Sequence, residues 1–253
     1  MMQSRPQAVI ETLRLRIRAI ESGGRTSRGV LPFGIHVLDS ALPEGGLALG
    51  ALHEVAGGGA GAVDGAAAAL FAAGIVARSP GLVLWCVTRP DLFAPALDQA
   101  GLDPDRVIYV EAGDEKTVLA CFEEGLRHGG LGGVVAEVAR LSVTASRRLQ
   151  LAAENSGTIG VAVRRWRRAT EAADFGQPTA AVTRWRISAL PSTPLPVPGV
   201  GRARWFVELI RCRAGECAEF VVEACDEEGR LAVPADLADR SAASGNGRHR
   251  ASA

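Results

Sequence analysis

The sequence predicts an α/β fold built on a mostly parallel sheet flanked by helices, with an antiparallel extension at its C-terminal end. Three observations carry this. Short β-branched runs alternate with helical periods between residues 51 and 163, the pattern of parallel strands joined by crossover helices on both faces. A glycine-rich loop joins the first of these strands to an alanine-rich helix, in HEVAGGGAGAVDGAAAALFAAG at 53–74. After residue 163, three strand-like runs follow with no helix between them.

Each element has a local reason. Residues 8–20 set Val9, Ile10, Leu13, Ile17 and Ile20 at helical spacing with Arg14 and Arg18 opposite, and Gly23-Gly24 ends the pattern. This amphipathic helix and its linker (1–29) precede a core expected over 30–240. Its apolar face either packs on that core or serves as a partner helix for a second protein. Gly34, Gly45, Gly46 and Gly50 punctuate short apolar pieces before a strand at 51–55. A helix at 65–78, the buried strand LVLWCV at 82–87, a helix at 91–100 and the strand RVIYVE at 106–111 follow. Then come a helix at 115–128, the strand GGVVAEV at 132–138, a helix at 144–155 and the strand TIGVAV at 158–163.

In AVTRWRISAL, Thr183, Trp185 and Ile187 alternate with Arg184, Arg186 and Ser188, which reads as half-buried antiparallel patterning. RARWFVELIRCR and ECAEFVVEA continue it. Trp185 and Trp205 sit among apolar neighbours and are expected in the core. The run PSTPLPVPG has no helical option, and residues 241–253, with nothing apolar larger than alanine, are expected to be a disordered tail.

Composition narrows the function classes. With 253 residues, 47% of them hydrophobic, the chain can bury a sizeable core. The longest apolar run, 66–77, stops at Arg78 and is too short for a bilayer span. No basic n-region with an apolar h-region opens the chain, so the cytoplasm is the expected compartment. Five cysteines form no C-x-x-C pair and the four histidines do not cluster with them, so reduced structural thiols and no metal site are expected. The 28 basic and 28 acidic residues balance, but residues 140–213 hold thirteen Arg and no Lys against four acids, a net of +9.

The glycine loop is where phosphate chemistry would sit. Backbone N–H groups at a helix N-terminus face an anion, glycine permits the approach, and lysine reinforces it. Gly57, Gly58, Gly59 and Gly61 keep the backbone half of that device. Counting G-x-x-x-x-G-K-[ST] from Gly57 puts Ala62, Val63 and Asp64 in the last three places. Val63 removes the cation, and Asp64 brings a carboxylate to a triphosphate's position, a repulsion of roughly 4 kcal/mol at about 4 Å and an effective dielectric near ~20. Asp64 is expected to cap the following helix rather than to ligate magnesium.

The order of parts resembles the RecA-like ATPase core: G-x-x-x-L-D-x-x-L at Gly34, Leu38, Asp39 and Leu42, then GGL at 45–47, then Gly50 and HEVAG. More closely, the lysine-free loop and VVAEVARLSVTASRRLQLAAENSG at 134–157 resemble the ImuA family, RecA-like accessory proteins of the bacterial inducible mutagenesis cassette. The resemblance covers about residues 30–232. It implies a RecA-like P-loop-type fold with a degenerate nucleotide site and no cofactor. It also implies a non-catalytic role in SOS-induced mutagenesis and translesion DNA synthesis, beside an ImuB-type polymerase-like adaptor, an error-prone replicative polymerase and/or RecA. An active RecA-like DNA-dependent ATPase and a SulA-like cell-division inhibitor are the alternatives.

The same resemblance places the magnesium-holding aspartate at Ala136. Glu137, one residue on, is expected on the opposite strand face and is a poor substitute. Glu115 falls where a water-activating carboxylate would stand, and reads more simply as a first-turn helix acid. His53 and Glu54 end a strand beside the loop with no third orienting group in view, and structural roles are expected. The run RRWRR (Arg164, Arg165, Trp166, Arg167, Arg168) follows what reads as the last parallel strand. Guanidinium groups around an indole suit single-stranded DNA through phosphate pairing and base stacking; a solvated loop, or a surface for an acidic partner, is the competing reading.

Overall fold

The computed structural model describes residues 29–59, 61–166, 172, 175–193, 195 and 198–234. The expected helix at 8–20, Arg167, Arg168 and the tail at 241–253 lie outside them. The central sheet holds eight strands: β3 (Leu52–Gly57), β4 (Val83–Val87), β5 (Val107–Glu111), β6 (Gly133–Val138), β7 (Ile159–Arg164), β8 (Thr183–Leu190), β9 (Arg204–Cys212) and β10 (Ala218–Glu223). Their order is β10-β9-β8-β3-β7-β6-β4-β5. From β5 to β8 every neighbouring pair is parallel, and the β8–β9 and β9–β10 pairs are antiparallel.

One expectation is corrected by this order. β8 carries the alternation of an antiparallel strand, yet it lies parallel to β3, with Glu54 opposite Arg184 and Val55 opposite Trp185. The antiparallel extension therefore begins at β9, and β8 rather than β7 is the last parallel strand along the chain. Burial explains the misreading: Arg184 faces the interior at 6% exposure, so a charged residue stands where a solvent face was inferred.

Helix α2 (Ala62–Ala77) covers one face. Its buried Ala67, Ala68, Ala69, Ala72 and Ala73 let it lie close on the sheet, against Val55, Val135, Val163 and Ile187. Arg106 fixes its end by donating to the carbonyl of Ala77 (2.8 Å), which the helix terminus leaves unpaired, and to those of Ser79 and Gly81 (2.9 Å) in the chain that follows. Helices α4 (Glu115–His128) and α5 (Val143–Ser156) cover the other face with Phe122, Leu126 and Leu149. Asp114 and Ser142 cap their starts, and Gly129 and Gly157, both left-handed, close their ends. The short α3 (Ala94–Gln99) packs beside α2 and is shorter than the expected 91–100.

The entry segment forms β1 (Val30–Leu31), α1 (His36–Asp39) and β2 (Leu47–Ala48), with β1 and β2 paired. Asp39 closes its turn by accepting the N–H groups of Phe33 (2.7 Å) and Gly34 (2.9 Å). Phe33 then stacks on Phe71 of α2 and meets Trp185 edge-on, and Phe71 meets Trp205. This aromatic cluster fixes the segment, α2, β8 and β9 together, and both tryptophans are core residues as the sequence implied.

Candidate functional site at the C-terminal ends of the strands

The glycine loop leaves β3 and runs along the projecting end of β8. Gly58 N–H donates to Ile187 O at 2.7 Å. A Cβ on Gly57 would stand 2.8 Å from the carbonyl carbon of Asp64, so glycine is required there for close backbone approach, and one on Gly58 would displace the Ser188 hydroxyl. Helix α2 starts at Ala62 with Gly61 as its N-cap and no side-chain cap. Asp64 does not cap: its Oδ1 accepts from Ala189 N–H at 2.9 Å. The carboxylate still lies in the first helical turn, where it complements the dipole. Val63, in the lysine place, is 69% exposed.

The second carboxylate position also differs from the sequence reading. Val135 belongs to the core under α2, and Val134, Ala136 and Val138 to the core under α4 and α5. Alternation along β6 therefore turns Glu137 toward the α2 face and Ala136 away from it. Glu137 is on the loop-bearing side after all, but it is taken. Trp85 Nε1 donates to its Oε1 at 3.0 Å, and Arg165 Nη1 to its Oε2 at 2.5 Å. The same guanidinium reaches Asp91 at 2.9 Å. Burial alone would lower the Arg165 pKa, and the Glu137 and Asp91 carboxylates outweigh it, leaving the group above its ordinary value. Glu115 accepts the N–H groups of Ala139 and, at 3.1 Å, Arg140, so this first-turn acid also fixes the chain leaving β6.

On the opposite face Glu54 anchors a buried cluster that sequence reasoning missed. Arg164 Nη1 donates to Glu54 Oε1 at 2.6 Å, Thr179 Oγ1 donates to Oε2 at 2.8 Å, and Arg184 Nε lies 2.9 Å from Oε2. Arg164 also donates to Ala139 O at 2.7 Å. Phe175 lies under both guanidinium groups, 4.5 Å from Arg184 and 5.9 Å from Arg164, and Trp166 meets its ring edge-on. Arg164 is 1% exposed, so it is not a surface residue for DNA, and Trp166 packs on Phe175, whereas the Arg165 side chain is 37% exposed. The signal available in sequence was Glu54 itself, a carboxylate inside a parallel strand covered on both faces, which requires a buried partner.

No protein-family model matches the chain. Protein ImuA of Caulobacter vibrioides, in strains NA1000 / CB15N and ATCC 19089 / CIP 103742 / CB 15, is 41% identical over 215 residues, which is 81% of this chain and 87% of the relative. The chain belongs to the ImuA family. A crystal structure of the RadB recombinase matches with a TM-score of 0.55 at 19% identity, covering 81% of this chain and 99% of the other. At that identity the likeness shows the RecA/RadB-like fold alone.

In this ImuA-family chain His53 and the buried cysteines are structural. His53 is fully buried: Trp185 Nε1 donates to Thr183 Oγ1 (2.7 Å), which donates to His53 Nδ1 (2.7 Å), while His53 Nε2 donates to Ala48 O (2.9 Å). The carbonyl partner places the proton on Nε2. Burial lowers its pKa to about 4, against a smaller raising effect of the Ala48 bond, so the ring is neutral. All five cysteines are free, and burial pushes Cys86 and Cys225 up to about 12 and Cys212 to about 11, far from thiolate reactivity. Among the described residues, no group of three or more His, Cys, Asp or Glu could hold a metal, and no helix is long and apolar enough to cross a membrane.

Proposed function

We propose that this ImuA-family chain is a non-catalytic accessory protein in SOS-induced mutagenesis and translesion DNA synthesis. It works in the cytoplasm, at the nucleoid when engaged, through contacts with an ImuB-type polymerase-like adaptor, an error-prone replicative polymerase and/or RecA. Family membership supports the accessory role. The observation that carries the non-catalytic half is the state of the glycine loop. Gly58 N–H and the Asp64 carboxylate are both bonded to β8, and the lysine place holds an exposed valine. A phosphate there would meet a carboxylate and no cation.

Calorimetric titration with ATP and magnesium, beside a turnover assay, tests this. No binding heat and no turnover are expected, and Val63→Lys with Asp64→Thr should not by itself restore hydrolysis. Turnover comparable to active RecA-like ATPases, lost in Glu115→Gln, would overturn the reading. For the partner half, deleting residues 1–24 should abolish complex formation with purified adaptor or RecA while the core keeps its circular dichroism. A retained complex counts against the N-terminal helix as the docking element.

A further inference from the structure

Arg165 stands at the end of β7 with a two-sided environment. Its inner side is fixed by Glu137, a carboxylate whose side chain is 4% exposed and whose other oxygen is held by Trp85. Among the described residues its outer side is met by Asp91: Nη1 donates to Oδ1 at 2.9 Å and Nη2 to Oδ2 at 3.2 Å. Asp91 is 57% exposed and Arg165 is 37% exposed. Two parallel N–H groups presented to a pair of oxygens form the fork that a phosphate accepts as readily as a carboxylate.

We propose that the outer side of Arg165 is a phosphate-binding subsite, and that Asp91 occupies it in the free protein as a built-in competitor. Glu137 keeps the guanidinium in place whether or not the outer side is filled, so a phosphate group replaces Asp91 without a new side-chain ordering cost. An exposed ion pair is weak and screened by salt, which makes Asp91 a displaceable cover rather than a lock. The position adjoins the basic run, so the phosphodiester backbone of single-stranded DNA is the ligand source favoured. That source rests on the single-stranded DNA reading of residues 164–168, whereas the fork geometry does not.

Fluorescence anisotropy with a labelled single-stranded oligonucleotide, over a salt series, tests the subsite on the full-length protein. Asp91→Ala should tighten binding about fivefold at low salt, the scale of an exposed ion pair removed as competitor. It should also steepen the slope of log K against log salt by roughly 0.7, one added phosphate on a single strand. The gain should vanish in Asp91→Ala with Arg165→Gln, and Asp98→Ala, which removes an exposed acid on α3, should not reproduce it. Parallel titrations with ATP and with inorganic phosphate separate the sources. A gain for those ligands and none for the oligonucleotide would keep the subsite, overturn the strand as its source, and count against the nucleotide-free reading of the loop. An unchanged affinity for all three, an equal gain in Asp98→Ala, or a gain surviving in the double variant would overturn the subsite.

Discussion

Glu54 and Glu137 are both carboxylates on buried parallel strands, both paired with arginine, and they differ in how far water reaches the pair. Glu54 sits with Arg164 in an enclosed cluster where both side chains are 0% exposed, and Arg184 and Thr179 complete it. Glu137 is equally buried, but its arginine opens to solvent through Asp91. The same chemistry is therefore structural in one place and accessible in the other. Burial decides this, because an enclosed ion pair cannot lose one member without leaving an uncompensated charge.

The largest test of that contrast is Glu54→Gln, which leaves two buried guanidinium groups without their carboxylate. A loss of about 3–5 kcal/mol is expected in urea unfolding, and a loss below about 1 kcal/mol would show that water enters the cluster.

His53 gives a second large effect, through pH. Its pKa is lowered from 6.5 to about 4 in the folded protein, so below the unfolded value the unfolded chain binds a proton that the native state refuses. Stability should fall as pH drops from about 6.5 to about 4, by up to ~3 kcal/mol, and be constant above that window as far as this group is concerned. The slope should disappear in His53→Gln if the ring is its source.

Smaller effects follow at the open end of the sheet. Asp64→Ala removes the acceptor of Ala189 N–H and should cost about 1–2 kcal/mol, with faster hydrogen exchange at Ala189. Asp91→Ala should cost less than about 1 kcal/mol, because the pair it breaks is exposed. A cost above about 3 kcal/mol at Asp91 would place it with Glu54 and erase the distinction.

Much of the fold was legible because its signals are local. The helix at 115–128 was read to the residue, since Asp114 caps one end and Gly129 the other. The buried strands were placed within a residue or two by their apolar runs, and the glycine loop by its spacing. The site was less legible. Asp64 read as a cap because caps are short-range, but its partner Ala189 is 125 positions away. Arg164 read as part of an accessible basic run, for DNA, a partner or solvent, because four of the five residues in that run are arginines, and nothing nearby in sequence names Glu54, 110 positions distant, as its partner.

By itself the sequence determined the alternation of strands and helices, the helix ends, the aromatic core positions and the absence of a lysine from the glycine loop. Each of these depends on side-chain spacing or backbone preference over a few residues. Tertiary structure alone decided that β3 lies between β7 and β8, parallel to both. That adjacency encloses Glu54 between Arg164 and Arg184, lays the loop along β8, and leaves Arg165 at the rim with Asp91 as its outer partner. The path of a crossover fixes which strands meet, and pairing between strands more than a hundred residues apart leaves no periodic trace in either one.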